Sequence, residues 1–122
     1  MEVSMLAKDF TFSPALKGHV ERRAHSALSR IRHKVSRIAV RLSDLNGPRG
    51  GPDKACLVSI IMPGHPEIVV RDVKEDMYAA IDSAIKRAAH RALRLMTRSR
   101  VLGRDSLPKT LSPQHAAEAD NG

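Results

Sequence analysis

From Asp76 onward the apolar residues Met77, Ile81, Ala84, Ala88, Ala92 and Leu95 fall three or four apart, a spacing that lines one side of a helix and suits no strand. A helix of this kind has to lay its apolar side on another element, so it constrains the fold of the whole chain. On the neighbouring sector Arg87, Arg91, Arg94 and Arg98 recur at spacings of four, three and four, which stacks four guanidinium groups in one strip. Between Asp82 and Asp105 lie seven basic residues, with Lys86, Arg100 and Arg104 completing the set, and no carboxylate. Nothing nearby in the sequence offsets their potential, and the strip points at a polyanion.

Upstream, Val3, Met5 and Ala7 alternate with Glu2, Ser4 and Lys8, the period of a half-buried strand. Ser13 followed by Pro14 is a helix start, and Leu16, Val20, Ala24, Ala27 and Ile31 then keep the helical period, which predicts a first helix from about Pro14 to about Arg32. Its remaining faces carry Lys17, Arg22, Arg23, Arg30 and the histidines His19, His25 and His33, so its exposed side is basic as well. Ile38, Val40 and Leu42 mark a second strand, Ala55 to Met62 a nearly continuous apolar central strand, and Ile68, Val69, Val70 and Val73 a fourth. Residues 44–53 are rich in Gly, Pro, Asn and Asp and read as a mobile loop, with Arg49 and Lys54 as possible extra phosphate contacts.

The expected fold is therefore α+β, in the order β-α-β-β-β-α. A crossover helix joins the first two strands and short loops join the rest, which gives a four-stranded mixed sheet with both helices packed on one face. Such packing would bring two basic helices side by side. A single domain is expected over residues 1–102. From Gly103 the scattered proline, serine and small residues without apolar periodicity predict a flexible tail over 103–122.

Composition narrows the partner. Lys and Arg total 21 against 13 Asp and Glu, a formal charge of +8, which favours nucleic acid. A membrane-surface helix would carry Trp, Phe or Leu on its apolar side, where this one offers mostly Ala, Ile and Met. Phe10, Phe12 and Tyr78 are the only aromatic residues, too few for single-strand binding by base stacking, so Tyr78 is read as a packing residue. One cysteine, Cys56, excludes an intramolecular disulfide and points to a reducing, cytoplasmic setting, where it packs inward as a small hydrophobe. The N-terminus has no secretory-signal pattern, and no apolar run approaches spanning length.

The segment DMYAAID, Asp76 to Asp82, with its arginine-rich continuation, and the segment SPALKGHVERR beginning at Ser13, resemble the ribosome hibernation-promoting factors, also called ribosome-associated inhibitors. The likeness extends over roughly residues 1–100, and the element order read above matches that family's fold. It implies a protein that binds rRNA of the small ribosomal subunit in the channel of messenger and transfer RNA and inhibits translation under stress. Lys17, Arg23, Arg87 and Arg94 fall where similar proteins present basic residues to rRNA; strip geometry adds Arg91 and Arg98, and the basic surroundings add Arg22, Arg30 and Lys86. Near position 90, where the family motif has a basic side chain, this chain has His90. The chain resembles the short form of the family, and a monomer is expected.

No nucleophile elbow, phosphate-binding glycine loop or carboxylate pair with a base is present, so no enzyme, small-molecule substrate or cofactor is expected. The histidines lack the spacing of metal ligands, and no metal is expected. Asp76 reads as a helix cap and Asp82 as an exposed flank of the same helix. Two other readings stay open: a general double-stranded RNA binder, and a protein-interaction regulator of a transcription or assembly factor that uses the uncovered sheet face.

Overall fold

The structure of the protein is a computed structural model that describes residues 1–8, 12–45 and 53–104, with side chains as far as Arg98. The elements are β1 (Glu2–Lys8), α1 (Pro14–Ala27), a short 3-10 turn (Arg32–Lys34), β2 (Arg37–Asp44), β3 (Lys54–Ile61), β4 (Ile68–Lys74) and α2 (Met77–Arg104). The sheet runs β1-β2-β3-β4, with β1 parallel to β2 and the other neighbours antiparallel. This is the α+β fold with a four-stranded mixed sheet that the alternation patterns predict.

Cross-strand register explains the core. Val3, Met5 and Ala7 sit opposite Ile38, Val40 and Leu42, which in turn face Ile60, Val58 and Cys56. Ile68 and Val70 continue those rows in β4. Every member of this face in the two central strands is buried, and Val20 and Ala24 of α1, with Leu28 just after it, share its cluster with Ile81, Ile85 and a run of α2 alanines. Both helices therefore cover the same face. Ala80, Ala84, Ala88, Ala89 and Ala92 are all buried, so α2 approaches the sheet with little bulk between the backbones.

Local chemistry sets the ends of the elements. Ser13 Oγ accepts from the Leu16 amide at 3.1 Å, with Pro14 in the first helical turn, and Asp76 caps α2 by accepting from the Ala79 amide at 3.2 Å. Between β3 and β4, the His65 amide returns to the Met62 carbonyl across Pro63 and Gly64, and Gly64 has φ of 84°. Proline followed by a positive-φ glycine is the pattern of a type II turn, and any larger residue at 64 would be strained.

Helix α1 stops five residues short of the expected Arg32. After Ala27 the chain continues in tighter turns: the amides of Ser29, Ile31 and Lys34 each reach back three residues to Ser26, Leu28 and Ile31. Inward positions at 28, 31 and 35 suit such turns as well as a helix, so Leu28, Ile31 and Val35 stay buried and the apolar period conceals the change. At the other end, α2 runs through Gly103 to Arg104, past the expected domain limit of 102. Residues 105–122, most of the expected tail, and 46–52, the centre of the glycine-rich loop with Arg49, lie outside the described residues.

Candidate nucleic-acid interface

Where α1 crosses α2 an open groove of about 530 Å³ forms. Its basic lining is Arg23 and Arg30 from the first helix and the turn after it, with Lys86 and His90 from the second. Ser26 and Ser29 add hydroxyls, and Ala27, Ile85, Ala89 and Leu93 form the floor. The groove exists because α1 packs against one flank of α2: the inward alanines bring the helices close, and the longer charged side chains are left at the rim. Cations over an apolar floor, with hydroxyl donors beside them, suit a ribose-phosphate backbone.

Asp82 ties the two helices together. Its Oδ1 accepts from Arg23 Nε at 2.8 Å and lies 2.7 Å from His19 Nε2. The His19 ring in turn meets Tyr78 edge to face, with centroids 4.9 Å apart, so Tyr78 packs while keeping one side exposed. Asp82 is thus an interhelical anchor as well as a flank residue. Arg23 keeps about half of its side chain exposed above it, at 49 %.

The arginine strip does not join α1. Arg87 Nη1 donates to Asp72 Oδ2 on β4 at 3.2 Å, and Arg91 Nη1 donates to the Val69 carbonyl of the same strand at 3.2 Å. The strip therefore lies on the flank of α2 beside the sheet edge, while Lys86 and His90 occupy the flank beside α1. The expectation that nothing offsets its charge fails at Arg87, because Asp72 arrives from the neighbouring strand β4. Ser83 also donates to Asp72, and this bond, followed by the Arg87 guanidinium, holds the Asp72 carboxyl below its ordinary range against the opposing effect of burial.

The remaining residues separate by position. Lys17, Arg22 and Arg98 are exposed, and Arg94 is half-buried with a partner of its own. Arg22 folds back along its helix, its Nη1 3.2 Å from where a Cβ on Gly18 would stand. Lys54 is held by carboxylates: its Nζ lies 3.1 Å from both oxygens of the buried Asp53 and 3.3 Å from Asp44, and the Asp53 bond most of all raises its pKa. Cys56 is fully buried, and burial, with the Asp72 charge, pushes its thiol up to about 12, so it is inert. Ser26, Ser29 and His90 join the interface only through the α1–α2 crossing, and no local spacing marks them.

Among the described residues no group of His, Cys, Asp and Glu is placed to hold a metal ion, and no helix is long and apolar enough to cross a membrane. Residues 3–100 match the family model described as Sigma 54 modulation protein / S30EA ribosomal protein. The chain belongs to that family. It is the family of the hibernation-promoting factors that the helix segments resemble. Solved structures share its fold, two of them as follows. A ribosomal subunit interface protein from Coxiella burnetii superposes with a TM-score of 0.68 at 21 % identity, covering 80 % of this chain and 99 % of that one. The N-terminal domain of Protein Y from Thermus thermophilus gives 0.65 at 22 % identity, covering 78 % of this chain and 99 % of that one. No curated protein matches the sequence.

Proposed function

We propose that this protein is a cytoplasmic ribosome hibernation factor that docks on rRNA of the small ribosomal subunit, in the channel of messenger and transfer RNA, and inhibits translation by steric exclusion. The observation that carries the reading is the interhelical groove, where Arg23, Arg30, Lys86 and His90 converge over an apolar floor. Two rigid helices bearing guanidinium and ammonium groups recognise folded RNA by shape and phosphate, without reading bases. The exposed Lys17, Arg22 and Arg98 extend the positive surface beyond the groove, and Arg87, Arg91 and Arg94 flank it on the side of β4. Family membership supports the ribosome as partner, as does the likeness to a protein named for the ribosomal subunit interface. No catalytic step is needed for this mechanism.

Sedimentation of purified small subunits with wild type and with the Arg30→Glu, Lys86→Glu double variant tests it, combined with binding of initiator transfer RNA. Wild type should travel with the subunit and exclude the transfer RNA, and the variant should do neither. A variant that still co-sediments at physiological salt, or a wild type that leaves transfer RNA bound, overturns the reading. A wild type that prefers any long RNA duplex to the subunit favours the general double-stranded RNA binder instead.

A further inference from the structure

The sheet face turned away from the helices is not an ordinary solvated surface. Register places Leu6, Arg41, Leu57 and Arg71 in one row across all four strands. The next row reads Ser4, Ala39, Ser59 and Val69, and the one after it contains Arg37 opposite Ile61. Arg37, Arg41 and Arg71 are exposed and make no ion pair among the described residues, in contrast to Arg23 and Arg87 on the helical side. Leu6 is 56 % exposed, Val69 47 % and Ile61 39 %. Two carboxylates reach this face: Glu2 stands opposite Arg37, and Glu67 accepts from Ser59 in the row next to Arg41 and Arg71, yet neither pairs with those two arginines.

We infer that this open face is a second RNA-binding surface, in which Arg41 and Arg71 grip phosphates on either side of Leu57. The inference rests on the ribosomal reading above and extends it from one side of the molecule to two. Charge complementarity selects the occupant. Arg41 and Arg71 stand on strands two inter-strand spacings apart, about 10 Å between backbones, with Leu57 between them and Ala39, Ser59 and Val69 in the next row. That low floor lets a ribose-phosphate chain approach, while Leu57 and Val69 offer apolar contact to riboses and base faces and arginine stacks on an exposed base. A second copy of this chain would bring the same unpaired arginines against these and be repelled. A protein in a channel walled by RNA is enclosed, so both sides meet phosphate.

The test compares purified small subunits binding wild type, the Arg41→Gln, Arg71→Gln variant and the Arg30→Gln, Lys86→Gln groove variant over a range of salt. A photo-crosslinking residue at Val69 reports what touches the face. The replaced arginines are exposed, and thermal unfolding verifies that the variants fold. The open-face variant should bind about tenfold or more weakly at low salt, with a salt slope shallower by about 2, and the Val69 adduct should be nuclease-sensitive. Unchanged affinity and slope, or an adduct to protein alone, overturns the inference while the groove reading stands. If instead the groove variant binds as wild type and the open-face variant weakens, the groove reading fails and the open face is the principal surface.

Discussion

Asp72 and Asp82 decide how much charge the basic residues around them can offer. Asp72 takes bonds from Ser83 and Arg87, and Asp82 from Arg23 and His19. A guanidinium already spent on a carboxylate gains less from a phosphate, so Arg87→Gln should weaken small-subunit binding less than Arg30→Gln, as read from dissociation constants at one salt concentration. Asp72 also carries a stability prediction. Its carboxyl is held below the ordinary range, so the unfolded chain takes up this proton before the folded one does. The stabilisation is complete above the unfolded value of about 3.9 and is lost as pH falls through the lower folded value. Asp72→Asn should therefore cost about 1–3 kcal/mol in urea unfolding at neutral pH, and the difference from wild type should shrink on acidification below about pH 4. An unchanged difference at low pH would show that the loss comes from packing.

At the scale of elements, α2 is the organising piece. One flank meets α1, another meets β4, and the alanines between them lie on the sheet. Ala88 is fully buried at this crossing, so Ala88→Leu has no space to enter and should cost about 1–3 kcal/mol by overpacking. Urea denaturation measures it, and a neutral result would mean that α2 stands farther from the sheet. Helix α1 depends more on its first turn, because its last turn passes into tighter turns that hold Leu28 and Ile31 in the core. Ser13→Ala removes the bond to the Leu16 amide and should cost about 1 kcal/mol, visible as a lowered Tm.

For the whole molecule, the sequence carries a formal charge of +8, and among the described residues exposed arginines stand on both sides, Arg23 and Arg30 on the helical side and Arg41 and Arg71 on the open sheet face. If six to eight phosphates are neutralised, log affinity for the subunit should fall with log salt at a slope of roughly −4 to −7. Binding titrations across salt measure this directly. A slope near zero would mean an apolar protein-protein contact, the behaviour of an interaction module that uses the open sheet face. Covering one face with both helices leaves the molecule two chemically different surfaces, a groove in which Arg23 is tied to Asp82 beside Arg30 and Lys86, and a sheet face whose arginines make no ion pair among the described residues.

The amino-acid sequence by itself determined the element order, the mixed sheet and the inward rows of the central strands. Those follow from period, caps and turns, which act within a few residues: Ser13-Pro14, Asp76, Pro63-Gly64 and the alternation through Ile38, Val40 and Leu42 are all local signals. It also marked which residues are cationic, and hence the class of partner proposed for it. Only the tertiary structure decided which cations share a surface. Arg87 meets a carboxylate 15 residues away and His19 one 63 residues away, both beyond the few residues over which caps, turns and periodicity act. The end of α1 escaped for a related reason, since an inward residue every third or fourth position suits a helix and a chain of tight turns alike. A helix wheel gives the angle of each arginine about its own axis. Which flank turns toward α1 and which toward β4 is set by how the alanines of α2 pack on the sheet, and that is a property of the assembled core.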